Sequence, residues 1–313
     1  MFLVHITVAY NSDKDLEKLF VNIGKQEEKT HFIICVDNSD IIYKDRNETI
    51  CTKYNSIPTF TVEYYPLKSN YGSSAGFAIA MTIAYNAGAD YIWLHDQDGY
   101  PLPGCLQNIR KYLANGPGIL SPKILDERNN YLFVFHGNYN KYWSLIPVVL
   151  EEEFALAEVA GTAGLFIKRE LIDKIGIYDY EHYFINNEDF DYCIRAGRHG
   201  FKVCVVRDAL YYHPNKWGNV SQGKKKNFVR YFGDITLSKI NNRSSSNINY
   251  YIKHCRYNFL ISLIYSGLIV VIKKLCFRKI NMLATIKCYI SAISYRYFYK
   301  NDKMSINPVS YLA

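Results

Sequence analysis

The sequence predicts an α/β fold built on a parallel sheet. Three observations carry this. Short apolar runs recur through the first hundred residues, segments with helical periodicity stand between them, and polar residues follow the apolar runs directly. Strands that alternate with helices form parallel sheets covered on both faces. In such sheets ligands bind outside the carboxyl ends of the strands.

The elements read in order as follows. "FLVHITVAYN" is a buried strand, and "DKDLEKLFVNIGKQ" is an amphipathic helix opened by Ser12 or Asp13. "HFIICVDNSD" is a second strand that ends in polar residues, and "FTVEYYPL" is a third. "SSAGFAIAMTIAYNAG" is a helix opened by small residues and closed by Gly88. "YIWLHDQDG" is a fourth strand. Residues 120–160 read as mixed strands and loops, and "VAGTAGLFIKRELIDKIG" as a strand and a short helix. In "YFINNEDFDYCIRAGRHGF" a helix starts at Asn186 or Asn187, with acids in its first turn and Gly197 or Gly200 near its end. "KVCVVRDALYYHP" is a strand that leads to His213. No internal repeat is visible.

The chain has 313 residues, 49% of them hydrophobic, enough for one large domain or a domain with an extension. The net charge of +8 hides a split. Residues 222–313 hold 16 Lys/Arg against 2 Asp/Glu, a balance of +14, whereas residues 1–221 carry −6. A basic tail on a mildly acidic body points to an anionic partner. Within the tail, residues 257–272 form a run of 16 uncharged residues flanked by Lys253, Arg256, Lys273, Lys274, Arg278 and Lys279. A spanning helix needs about 20 apolar residues, so a helix lying on an anionic membrane surface fits better. A packed helical subdomain or a surface for homo-oligomer formation is the alternative. The apolar run and the lack of an RNA-binding motif speak against nucleic acid. The eight scattered cysteines, with no CxxC pair, suit reduced thiols in a cytoplasmic protein. The N-terminus lacks a basic leader region and a cleavage site and reads as the first strand rather than a signal peptide.

Four places can carry chemistry. Asp96-Gln97-Asp98 sets two carboxylates at a strand end. This is either an ordinary Asp/Gly turn or a divalent-metal site facing a diphosphate, because neighbouring carboxylates repel unless a cation lies between them. "NYGSSAGF", Asn70 to Phe77, is either a helix-capping loop or a small-residue loop that admits a nucleotide; it has neither a Walker lysine nor GxGxxG. Asn187-Glu188-Asp189, followed by Asp191, complements a helix dipole, and a carboxylate there can also act as a general base. His213 is a polar turn residue, or a metal ligand if the Asp pair lies beside it.

Together, "TVAYN", "VDNSD", "NYGSSAGFAIAM", "WLHDQDGYP", "GTAGLFIKRELIDKIGIYD" and "NNEDFDYCIRAGRHGF" resemble the inverting family 2 glycosyltransferases of the GT-A fold over about residues 1–220. The likeness is greatest to bacterial rhamnosyltransferases and galactofuranosyltransferases of surface polysaccharides. It implies a GT-A domain over 1–221 and a basic, mostly helical extension over 222–313. It implies that Ala9, Tyr10 and Asp37 border the base and ribose of a UDP- or dTDP-sugar. Asn70, Gly72, Ala75 and Gly76 would form the loop against which the nucleotide-sugar packs. Asp96 and Asp98 would match the metal-binding pair for Mg²⁺ or Mn²⁺, with Asp96 also at the nucleotide, and His213 would match a metal-ligand histidine. Asp189 would match the catalytic base. Gln97 and Phe77 depart from the family pattern. The acceptor implied is a lipid-linked or oligosaccharide glycan, which places the protein in the cytoplasm, peripheral on the inner face of the cell membrane. A UDP-hexopyranose donor, nucleotidyl transfer and non-catalytic nucleotide-sugar binding are the competing readings.

Overall fold

The computed structural model describes residues 1–113, 116–140, 145–214 and 303–313, together with Ser246, Tyr250, Lys253, His254 and Ile290. Four parallel strands open the fold: β1 (Leu3–Ala9), β2 (His31–Asp37), β3 (Phe60–Pro66) and β4 (Tyr91–Asp96). They are joined by α1 (Asp13–Ile23), α2 (Ile41–Asn55) and α3 (Gly72–Asn86). The spatial order is β3-β2-β1-β4, so the winding reverses at β1. Such a switch point opens a crevice at the carboxyl ends of β1 and β4.

The second half adds β5 (Tyr100–Pro101), α4 (Cys105–Arg110), β6 (Ile119–Leu125), β7 (His136–Tyr139), β8 (Leu145–Pro147), β9 (Phe154–Ala157), β10 (Val159–Ala160), β11 (Phe166–Lys168), α5 (Arg169–Ile175), α6 (Glu188–Arg198) and β12 (Val203–Tyr212). The main sheet continues as β4-β11-β6-β12-β5, with β9 also on β12. Here the sheet is mixed. β6 and β12 run parallel, but β11 is antiparallel to both β4 and β6. β11 follows β10, a strand of the smaller β10-β7-β8 sheet, through residues 161–165.

α3 is buried on nearly every side. Its small residues allow this: a Cβ on Gly76 would lie 2.6 Å from Val8 Cγ1, so glycine brings the helix down onto β1. One core cluster joins α3, α5 and α6 to the sheet, and two others lie against α4 and under α1.

Described residues beyond 221 pack onto this body. Leu312 bridges to Leu67, and Met304 bridges to Gly176. Lys253 and His254 reach α6 through a buried ion network. Lys253 Nζ lies 2.8 Å from Asp179 Oδ2 and 2.6 Å from Asp191 Oδ1, and His254 Nε2 lies 2.6 Å from Asp191 Oδ1. Arg195 Nε donates to Asp191 Oδ2 at 2.8 Å, and its NH1 and NH2 donate to the carbonyls of Ile175 and Ile177. The uncharged run 257–272 lies outside the described residues. No helix among the described residues is long and apolar enough to cross a membrane.

Removing one cation from such a network leaves a buried charge undercompensated. Lys253→Met is expected to lower the unfolding free energy by about 3 kcal/mol in urea denaturation. A loss below about 0.5 kcal/mol, the size of an exposed pair, would show that the network does not hold α6.

Candidate active site

Strand register brings the polar strand ends together. Ala9 pairs with Asp37, and Val8 pairs with Asp96, so β1, β2 and β4 end at one level. Asp98 follows in a turn in which the Gly99 N–H donates to the Asp96 carbonyl at 3.1 Å. β5 then pairs with the end of β12, Tyr100 opposite Tyr212 and Pro101 opposite Tyr211, and the two tyrosine rings stack at 4.6 Å. This register sets His213 beside the acidic pair. A Cβ on Gly99 would come within 2.7 Å of Tyr211 and 2.9 Å of the Tyr212 carbonyl, so only glycine lets the turn approach.

His213 Nε2 lies 3.6 Å from Asp96 Oδ2 and 3.3 Å from Asp98 Oδ1. One ligand atom from each of the three residues falls within 4.8 Å of the others. Burial disfavours charge on His213, but the hydrogen bonds and charges of the two carboxylates outweigh it and raise the imidazole to about 9. The pair therefore attracts positive charge strongly enough to protonate a buried ring. A divalent cation answers the same demand, and two carboxylates with one imidazole are donors that Mg²⁺ and Mn²⁺ accept. The residues present fit such an ion.

The first turn of α6 lies near enough to the acidic pair for its charge to be felt: behind burial, the charge of Asp96 adds to the rise of both Glu188 and Asp189. Asn187 caps the helix in the left-handed region, at φ 69°. Asp189 Oδ2 accepts from the Thr162 N–H at 3.0 Å, and Oδ1 from the Phe190 N–H at 2.8 Å. Burial raises Asp189 to about 6, against the pull of these backbone donors. Burial and the neighbouring Asp189 raise Glu188 to about 8. Glu188 Oε1 accepts from the Ser73 hydroxyl at 2.5 Å, and its Oε2 is buried without a partner. The arrangement offers one carboxylate ionised at neutral pH and one that keeps its proton.

The predicted nucleotide-side residues divide into exposed and buried groups. Tyr10 presents its side chain to solvent. Its backbone N–H donates to Gln97 Oε1 at 2.5 Å, and Gln97 Nε2 donates to its carbonyl at 2.9 Å, so Gln97 clasps β1 to the acidic turn. Ala9 is buried at the end of β1. Asp37 is also fully buried, and Ser39 N–H, Asn47 Nδ2 and Tyr64 OH all donate to it. In this structure Asp37 organises the loop after β2. Asn70 Oδ1 accepts from the Gly72 N–H at 2.9 Å, and Gly72 takes φ 89° where a side chain would meet the Phe184 carbonyl. Ala75 and Gly76 are buried in α3.

Sequence reasoning missed Asn38, Thr162 and the Ser73–Glu188 contact. Asn38 Nδ2 donates to the Gly72 carbonyl at 2.7 Å, and its Oδ1 accepts from the Tyr71 N–H at 3.0 Å, tying β2 to the start of α3. The signal for Asn38 was its place in "VDNSD", beside the residue that was chosen.

Residues 5–163 match the profile of Glycosyl transferase family 2, which spans half of the chain. The chain belongs to this family. Among named relatives, it is 24% identical over 201 residues to galactofuranosyltransferase GlfT1 of Mycolicibacterium smegmatis, covering 61% of this chain and 64% of that protein. The chain thus spans a little under two thirds of that relative's length. It is 23% identical over 210 residues to dTDP-rhamnosyl transferase RfbF of Shigella flexneri, covering 66% and 67%. The fold is similar to that of the mannosyltransferase PcManGT of Pyrobaculum calidifontis in complex with GDP-Man and Mn²⁺. There the TM-score is 0.56 at 14% identity, over 96% of this chain and 83% of that one. S. aureus TarS 1-349 in complex with UDP gives a TM-score of 0.54 at 14% identity, over 95% and 82%. The α/β architecture is the GT-A fold that the resemblance implied.

If Asp189, raised by burial to about 6, accepts a proton in the reaction, it can do so only when ionised. Turnover is therefore expected to fall as pH drops through about 6 and to level off above it. A steady-state pH–rate profile checks this, and a flat response from about pH 5 to pH 8 would remove Asp189 as the titrating base.

Proposed function

We propose that this family 2 glycosyltransferase is an inverting, metal-dependent enzyme. It moves a sugar, rhamnose or galactofuranose in preference, from a UDP- or dTDP-linked donor to a hydroxyl of a growing bacterial surface glycan. One observation carries the reading: Asp96, Asp98 and His213 cluster at the crevice that Asp189 also faces. The activities named for GlfT1 and RfbF support the choice of sugar.

Asp96, Asp98 and His213 would hold Mg²⁺ or Mn²⁺, which when bound would supply positive charge against the negative charge of the diphosphate. Asp189 accepts the proton of the acceptor hydroxyl as its oxygen bonds to the anomeric carbon. The bond from that carbon to the diphosphate oxygen breaks, and the nucleoside diphosphate leaves. A single displacement inverts the anomeric centre and needs no protein nucleophile. The backbone donors Thr162 and Phe190 keep the Asp189 carboxylate oriented. The turn built by Asn70, Gly72 and Asn38 lines the entry of α3, where a nucleotide-sugar can approach the backbone.

Residues 222–313 hold the enzyme on the inner, anionic face of the cell membrane, near a lipid-linked acceptor. Their balance of +14 and the uncharged run 257–272 support this. Flotation of the full chain with anionic vesicles tests it, with loss of binding in neutral vesicles expected.

Asp189→Asn is expected to keep donor binding and to lose about 10²–10⁴-fold in transfer rate, read by donor calorimetry and product formation. Transfer near the wild-type rate would exclude this base. EDTA is expected to abolish transfer, with Mg²⁺ or Mn²⁺ restoring it; full activity in excess chelator would exclude metal dependence.

A further inference from the structure

A second cluster of metal-ligating groups lies at the other end of the sheet. His5 is in β1, His31 opens β2, and Glu28 lies in the turn between α1 and β2. One ligand atom from each falls within 4.8 Å of the others. His5 stands four residues before the carboxyl end of β1, about 13 Å along the strand. The cluster is therefore separate from the crevice that holds Asp96.

The imidazoles are unusual in what they lack. His5 is fully buried and His31 nearly so. His5 Nε2 and His31 Nδ1 have no hydrogen-bond partner. Buried polar atoms are nearly always satisfied, because leaving one bare costs about 1–3 kcal/mol. Two such nitrogens in adjacent strands, with a carboxylate beside them, are missing a common partner.

The surroundings of His5 fit ligation through Nε2. Its Nδ1 faces His95 Nε2 at 3.1 Å, and His95 Nδ1 faces the Tyr211 hydroxyl at 3.3 Å. With both rings neutral the chain can run from His5 to Tyr211 or the reverse; in the first sense His5 Nδ1–H donates to His95 and the Nε2 lone pair is left free for a ligand. Metal-bound histidines are held in the same manner by an outer hydrogen bond. Burial lowers both His5 and His31, which favours the neutral form.

We propose that His5, His31 and Glu28 form a site for a zinc-type divalent cation, which ties β1, β2 and the turn after α1 together. Two imidazoles and one carboxylate match the nitrogen and oxygen preferences of Zn²⁺ and leave a fourth position for water. The site works against one opposing charge. The Arg110 guanidinium pairs with Glu28 Oε1, and the ion must share or displace it.

The test uses the full chain carrying Asp96→Asn and Asp98→Asn, which disables the other cluster. After dialysis against Zn²⁺ and removal of free metal, elemental analysis is expected to give about one zinc per chain. Adding His31→Gln should abolish this. X-ray absorption at the zinc edge on the two-substitution chain is expected to show two imidazole ligands. That second reading stands even if His31→Gln fails to fold. No retained zinc, or a first shell with fewer than two imidazoles, overturns the proposal.

Discussion

The site depends on negative charge being concentrated at one point. β4 delivers Asp96 and Asp98 with a single residue between them, and α6 brings Glu188 and Asp189 to the same crevice. Such a cluster is tolerable only with a compensating cation or with some acids protonated. Both devices are present. His213 supplies positive charge to the Asp pair, and Glu188 is pushed up to about 8, so it keeps its proton at neutral pH. A metal ion bound there would take the place of the proton on His213, so that the neutral imidazole and both carboxylates could face it.

Geometry at this point is set by backbone contacts more than by the acids themselves. The pairing of β5 with β12 and the close approach at Gly99 place His213, while Gln97 locks the acidic turn to Tyr10. The side chain between the two acids therefore has a structural task. On the other side, Asn38 and Asn70 hold the first turn of α3, and Ser73 of that turn reaches Glu188. The nucleotide side and the acid side of the crevice are thus joined directly.

Much of this was legible in the sequence. The strands and helices of the first hundred residues follow from apolar periodicity, because each strand is buried between helices and α1 has one apolar face. α2 escaped for the opposite reason. Its apolar residues are spread around the helix, and Ile41 and Ile42 face solvent. β11 was readable as a strand but its antiparallel direction was not, since three residues between turns carry no directional signal. Asp96, Asp98 and His213 were readable as residue types, but their meeting depends on the pairing of Tyr100 and Pro101 with Tyr212 and Tyr211, far apart in the chain. The burial of Asp37 under Asn47 and Tyr64 could not be read, because a polar residue after a strand looks the same whether it faces a ligand or a loop.

The change of charge near residue 221 marks a boundary in composition, while the contacts run across it. Lys253 and His254 reach Asp191, two residues after Asp189 on the same helix. At the far end of the chain, Tyr311 packs edge-on against Tyr71 at 4.9 Å and accepts the Lys68 N–H at its carbonyl, behind the turn that opens α3. Both helices whose first turns face the crevice are thus backed by residues from the basic extension. The helix turn that carries Asp189 takes part of its support from the extension, through Asp191 two residues further along.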